Sequence, residues 1–287
     1  MVTLKAYGKI NLCLSVTNKR ADGFHDLKSL IQTVDVFDLV SVRINNTGKI
    51  NVNMDCGKVI ETQKNSAYLA AKNFFEIFRK QEGADIFIKK NIPFGSGMGG
   101  SSADASGVIA ALCLIFNIDH TDNMVKLAAS KTGSDTVALL SGGLNKLIDR
   151  GDTVQKIYDS PQFTFVVAVS EMSADTKTVF NQFDKNNVYF DETRFEQVLD
   201  NLNSNNLEEY IYNDLTEACL ASYPPQKKFL EDCFSAMQKR PTLTGSGSAL
   251  FWIAKNLCQA QELCKLLTKN NIKAIVCNSV PFGFKIE

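Results

Sequence analysis

A run of glycines and small hydroxyl residues, Ile92-Pro93-Phe94-Gly95-Ser96-Gly97-Met98-Gly99-Gly100-Ser101-Ser102-Ala103-Asp104, stands directly ahead of a long helical pattern. No other stretch constrains the fold as much. Glycine lets backbone N–H groups approach a ligand with no Cβ in the way, and the helix that follows adds unpaired N–H groups and its positive dipole end at the same place. The pattern predicts an anion cradle of phosphate size at a loop-to-helix junction.

Two literal motifs fail at this loop. A Walker A loop ends in Gly-Lys-Ser or Gly-Lys-Thr, and no lysine lies between Asn91 and Met124. Gly95, Gly97 and Gly100 spell the dinucleotide fingerprint, but Ile86-Phe87-Ile88-Lys89-Lys90 ends in polar residues before Pro93. A buried parallel strand would instead run apolar straight into the glycines. The plain structural alternative is a helix entry with Ser101 or Ser102 as N-cap.

Composition narrows the function classes. The chain has 287 residues, enough for one large or two ordinary domains. Its 31 basic and 31 acidic residues cancel with no long run of one sign, so no nucleic-acid partner is expected and any charged ligand must be held locally. Cys13, Cys56, Cys113, Cys219, Cys233, Cys258, Cys264 and Cys277 are scattered without a Cys-x-x-Cys pair, as reduced thiols of a cytoplasmic protein would be. The chain opens straight into an alternating strand, so no secretory leader is expected. The longest apolar stretch, Val108 to Phe116, is too short for a membrane span. With His25 and His120 alone, a histidine-rich metal site is excluded, whereas Mg²⁺ held by oxygen ligands is compatible.

Residues 2 to 17 alternate, with Leu4, Ala6, Ile10, Leu12, Leu14 and Val16 on one face and Lys5, Tyr7, Lys9, Asn11 and Ser15 on the other. That parity sets Lys9 and Asn11 side by side. A turn at Ala21-Asp22-Gly23 and strands through Gln32–Val34 and Leu39–Ile44 follow. Asn65 then opens a helix from Ser66 whose Tyr68, Ala71, Phe75 and Phe78 form a stripe for packing on a sheet. Ser101 to Phe116 and Thr121 to Lys131 read as further helices, with Gly133-Ser134-Asp135 breaking the second before Val137–Leu140. Turns are expected at Ser141-Gly142-Gly143 and Arg150-Gly151-Asp152, and a domain boundary near the latter, dividing the chain into 1–155 and 156–287. The second half reads as a strand over Phe163–Val169, a polar segment to about 206, helices near 207–221 and 225–239, a strand over Ala249–Ala254, a helix over Leu257–Lys269 and a strand over Ala274–Cys277. Mixed strands and helices in both halves predict an α+β architecture.

The loop Pro93-x-x-x-Gly97-Met98-Gly99-Gly100-Ser101-Ser102 resembles the phosphate loop of the galactokinase, homoserine kinase, mevalonate kinase and phosphomevalonate kinase superfamily, the GHMP kinases. Leu4 to Val16 looks like its lysine-bearing first strand, and Leu243-Thr244-Gly245-Ser246-Gly247-Ser248-Ala249 like its glycine-rich third motif. The run from Lys9 through Arg20-Ala21-Asp22-Gly23-Phe24-His25-Asp26-Leu27 is similar to the branch that phosphorylates a cytidine diphosphate derivative of a methylated tetritol in non-mevalonate isoprenoid synthesis. The resemblance implies a two-domain fold, ribosomal S5 domain 2-like in the N-terminal half and ferredoxin-like in the C-terminal half. It also implies ATP and Mg²⁺ as cofactors.

Phosphoryl transfer needs a cradle for the donor phosphates, a cation near the transferred group and a carboxylate for the acceptor proton. On the resemblance these are Gly95 to Ser102, Lys9 and Asp135, with Pro93 and Asn65 beside the nucleotide. Without it, Lys9 would read as a solvated lysine and Asp135 as a helix cap. The resemblance further implies that Phe24 and Phe180 sandwich the cytosine and His25 reads its edge, with Asn11, Thr176, Gly245 and Ser246 nearby. The branch loop usually reads Gly-Leu-Gly-Gly-Gly-Ser-Ser-Asp, so which of Ser101 and Ser102 meets Mg²⁺ stays open. Gly8 replaces an alanine, Phe24 a tyrosine, and Val137-Ala138-Leu139 a Pro-Phe-Phe. A GHMP kinase for another small alcohol and a catalytically silent binding protein are the alternatives. A monomer or weak homodimer is expected.

Overall fold

The computed structural model describes residues 1–287 except 56–61, 150, 152 and 186–189. Cys56, Arg150 and Asp152 therefore lie outside the described residues. The N-terminal alternation becomes β1 (Val2–Lys19), and the turn after it returns the chain as one continuous strand, β2 (His25–Asn45), instead of two. Next come β3 (Ile50–Met54), α1 (Ser66–Ile77), β4 (Gly83–Lys89), α2 (Gly100–Phe116), α3 (Asn123–Thr132), α4 (Thr136–Ser141) and the hairpin of β5 (Leu144–Ile148) and β6 (Thr153–Ile157). β1, β2 and β4 run antiparallel in sequence across the sheet, β3 lies parallel on β4, and β5 pairs with β2. The next strand after the glycine loop, β5, pairs with β2 and β6 and not with β4, so the loop does not open a dinucleotide-type crossover to a strand beside β4.

Asn65 caps α1, its side chain accepting from the Ala67 N–H at 2.9 Å. The helix buries Ala67, Ala70, Ala71, Phe74 and Phe75 in the core. At about 1.5–3 kcal/mol for a fully buried large apolar side chain, that stripe, more than helix propensity, holds α1 in place. Every residue of α2 from Ala103 to Cys113 is buried, as its apolar composition predicts.

The second half contributes β7 (Thr164–Ala168), α5 (Thr176–Phe183), α6 (Glu192–Asp200), β8 (Tyr212–Asn213), α7 (Thr216–Ser222), α8 (Pro224–Met237), β9 (Thr242–Leu243), β10 (Leu250–Ala254), α9 (Leu257–Lys269), β11 (Ala274–Asn278) and β12 (Phe284–Ile286). An antiparallel sheet in the order β11-β7-β10-β9 is backed by α9 and carries its own core around Val166, Trp252 and Leu267. β8 and β12 return to pair with β1, so the first sheet is completed by chain from the second half. The α+β two-domain class is the one expected.

Two expectations fail in the second half. The polar segment before residue 206 holds α5 and α6, each opened by an aspartate: Asp175 accepts from the Thr178 N–H and Asp191 from the Thr193 N–H. Their apolar anchors, Val179 with Phe183 and Phe195 with Val198, are too sparse to dominate the composition. The helix expected over 207–221 is a single 3₁₀ turn, then β8, then α7. Asn213 breaks it, because its amide donates to the carbonyls of Leu243 and Gly245 and accepts from the Leu215 N–H. Side-chain bonds of this kind compete with the helical ladder.

Candidate active site

The glycine loop leaves β4, passes under β1 and enters α2. Met98 is fully buried beneath it, and its carbonyl accepts the Lys9 N–H at 2.9 Å. This contact explains Gly8: a Cβ there would lie 3.0 Å from the Met98 oxygen. Gly99 is the N-cap of α2, at φ 73°, and no side chain caps the helix. Ser101 and Ser102 thus lie inside the first turn, not at the cap as the plain structural alternative required. The uncapped first turn suits an anion.

A second glycine loop, residues 244–248, packs backbone to backbone against the first. The Ser248 and Ala249 N–H groups donate to the carbonyls of Gly95 and Ser96 at 3.2 and 3.0 Å. Gly97, at φ 77°, approaches so closely that a Cβ would lie 2.1 Å from the Thr244 oxygen. Asn11 joins this junction to β1. Its Oδ1 accepts from Lys9 Nζ at 2.5 Å and from the Gly245 N–H at 3.0 Å, while its Nδ2 donates to Ser29 Oγ at 2.8 Å.

Lys9 is 3% exposed, and its ammonium lies 3.4 Å from Asp135 Oδ2. The solvated-lysine alternative fails because the second loop covers the polar face of β1. Burial lowers the Lys9 proton affinity, with Asp135 partly offsetting it. Asp135 stands before α4 with helical backbone angles and no capping bond from its side chain, so the carboxylate is available to the cavity. This cavity, of about 730 Å³, joins both glycine loops, Lys9 and Asp135. All residues expected at the site line it except Met98, which is core, and Phe24 and His25.

Those two aromatic-end residues depart from the expected arrangement. Phe24 is 53% exposed at the tip of the β1–β2 hairpin. His25 stacks directly on Phe180, ring centroids 5.0 Å and planes 25° apart, and its Nε2 lies 2.6 Å from Asp184 Oδ1. Imidazole, not Phe24, thus faces Phe180, because Asp184 at the end of α5 draws the histidine across. Thr176 reaches the second glycine loop through Ser246, Oγ1 to Oγ 2.9 Å.

The sequence reading missed one cluster. Lys90 Nζ is shared by Asp38 at 2.5 Å and Asp104 at 2.7 Å, with both carboxylates essentially buried. Burial pushes the Asp104 carboxyl up to about 8, against the pull of Lys90. Burial alone would lower Lys90, but the two carboxylates outweigh it and hold it above its ordinary value. A lysine just after a strand followed fourteen residues later by an aspartate near the start of a helix was the one available signal.

Residues 65–143 match the GHMP kinases N terminal domain. That match and the fold define the class: the chain is an ATP-dependent small-molecule kinase with the GHMP kinase fold. At nearly full length it is similar to 4-diphosphocytidyl-2-C-methyl-D-erythritol kinases, among them that of Desulfitobacterium hafniense, 28% identical over 98% of this chain and 97% of that one. The kinase of the same name from Caldicellulosiruptor bescii is 29% identical over 97% of this chain and 99% of that one. A crystal structure of 4-(cytidine 5'-diphospho)-2C-methyl-D-erythritol kinase superposes with a TM-score of 0.76 at 25% identity, covering 96% of this chain and 98% of that one.

Proposed function

We propose that this kinase transfers the γ-phosphoryl group of ATP to the 2-hydroxyl of 4-diphosphocytidyl-2-C-methyl-D-erythritol, in the non-mevalonate route to isoprenoid precursors. The observation that carries the chemistry is the Lys9–Asp135 pair, 3.4 Å apart where two glycine loops meet in one cavity. Asp135 accepts the hydroxyl proton as the new O–P bond forms and the bond to ADP breaks. Lys9 stabilises the charge growing on the attacking oxygen, and the uncapped N-terminus of α2 holds the donor phosphates. Lys9 lies 3.4 Å from the Asp135 carboxylate, and Asn11 keeps Lys9 in register.

Mg²⁺ fits the residues present. Ser102 Oγ lies 3.8 Å from where a Cβ on Gly133 would stand, so it faces the segment that carries Asp135. Ser101 is exposed, and its carbonyl accepts from Ser66 Oγ. Ser102 is the better ligand of the two. An ion there would be held mainly by phosphate oxygens and water, as Mg²⁺ commonly is. Bound there, it would neutralise charge on the β- and γ-phosphates.

Phe180, Thr176 and Ser246 form the acceptor end of the cavity, and a cytosine stacks on Phe180 where His25 now stands. No helix among the described residues is long and apolar enough to cross a membrane. We assign the chain to the cytoplasm, as a monomer or weak homodimer with division near residue 155 and no nucleic-acid partner. The test is ADP release by the purified chain with ATP, Mg²⁺ and the cytidyl substrate, against mevalonate, homoserine and galactose. Turnover of one of those three in place of the cytidyl compound would overturn the assignment.

A further inference from the structure

Three consecutive residues ahead of the glycine loop converge on one carboxylate. Asp38, on β2 and fully buried, accepts the N–H groups of Asn91 and Ile92 on Oδ1 at 2.5 and 2.8 Å and Lys90 Nζ on Oδ2. Lys90 then reaches Asp104, in the first turns of α2, at 2.7 Å. Its own N–H is held by Asp55 at 2.7 Å. The ammonium lies under the loop's exit, 3.4 Å from where a Cβ on Gly100 would stand. Strand end, loop entry and helix start are therefore tied through a single cation.

Stability alone does not account for this cluster. Taking two carboxylates and one ammonium out of water costs as much as their attraction returns, and apolar replacements of buried ion clusters are often no less stable. Directional bonds do fix position, however, and a cradle that works through backbone N–H groups is sensitive to shifts of about 1 Å. We propose that Asp38, Lys90 and Asp104 are positioning residues for the nucleotide cradle, setting the glycine loop and the start of α2 at the spacing that the ATP phosphates require. This rests on reading the loop as that cradle. Lys90 and Asp104 border the same cavity as Lys9 and Asp135 but bond to each other and to Asp38, not to that pair, so the cluster acts through the loop.

The test compares Lys90→Met, Asp104→Leu and Asp104→Asn for kinetics, for binding of ATP and of adenosine, and for melting. Lys90→Met and Asp104→Leu should each raise the KM for ATP about ten-fold, with the phosphoacceptor KM within two-fold and adenosine affinity unchanged. Asp104→Asn keeps an oxygen for Lys90 and should recover most of the loss. The double variant Lys90→Met/Asp104→Leu should be little worse than either single one, because both break the same bridge. A ten-fold loss from Lys90→Met with none from Asp104→Leu would mean that the ammonium itself meets the nucleotide, which overturns the proposal. So would a lower melting temperature with unchanged ATP constants, or parallel loss of ATP and phosphoacceptor. Gly99→Val is the control for the cradle: if it leaves ATP binding intact, the cradle reading falls and this proposal with it. If it abolishes ATP binding while the cluster variants do nothing, only the positioning proposal falls.

Discussion

Replacing Asn11 with leucine separates a structural brace from a substrate ligand. Leucine keeps the γ-branched shape of asparagine, at a larger volume, but offers no acceptor, so two buried donors lose a partner: Lys9 Nζ at 2.5 Å and the Gly245 N–H at 3.0 Å. An orphaned neutral donor costs about 1–3 kcal/mol, and a hydrogen bond to a charged group is worth about 1.5–3 kcal/mol. Water entering the adjoining cavity recovers part of this, leaving a loss of about 2–4 kcal/mol. For a chain of this size that lowers Tm by roughly 5–15 °C. Lys9 keeps Asp135 but loses its second fixed point, so kcat should fall about 10–100-fold with little change in the phosphoacceptor KM. Asn11→Asp keeps an acceptor for Gly245 and should melt closer to wild type. It also places a second carboxylate on Lys9, so kcat should stay low. Differential scanning calorimetry and an ADP-coupled assay read both quantities. A leucine variant that melts within about 2 °C of wild type and shows only a raised phosphoacceptor KM would refute the brace and make Asn11 a substrate ligand.

Other expectations follow from the same geometry. Asp135→Asn should retain binding of both substrates and lose on the order of 10²-fold or more in kcat, measured by single turnover and calorimetry; near-normal turnover would remove Asp135 from the mechanism. Gly99→Val should abolish ATP binding, because its Cβ would lie 2.9 Å from Lys9 Cγ on a backbone at φ 73°; nucleotide titration reads the loss. Phe180→Ala should raise the phosphoacceptor KM by a factor consistent with about 1–3 kcal/mol of stacking and leave the ATP constant alone, and a uridyl analogue should be a poor substrate of the wild type. For pH, burial raises the Asp214 carboxyl, against bonds from the Val16 N–H and Arg194. The folded state then holds a proton that the unfolded state has released above about pH 4, so this group's contribution to stability falls as pH rises toward its folded value. Asp214→Asn lacks that fall, and its Tm relative to wild type should climb across the window in calorimetry from pH 4 upward.

Much of the architecture was legible because it rests on local pattern. Alternation marked β1, three-and-four spacing marked α1, the continuous apolar run marked a buried α2, and Leu257–Lys269 matched α9 to the residue. The glycines of both loops also announced themselves, since positive φ and backbone contact at Gly97 and Gly245 tolerate no other residue. Elements resting on distant partners were not visible. β12 and β8 are short strands that exist because β1 offers them an edge, and Asn213 ends a helical pattern only because the carbonyls of Leu243 and Gly245 lie beside it. At the site, sequence supplied the chemical groups, Lys9 and Asp135 among them, through alternation and resemblance. Tertiary structure decided their state: Lys9 is buried and braced because a loop whose Thr244 lies 233 residues beyond Asn11 covers its strand face. It also decided what spacing cannot encode, the sharing of Lys90 between Asp38 and Asp104 and the hydrogen bond between His25 and Asp184, because a polar group pairs with whichever partner folding brings within reach.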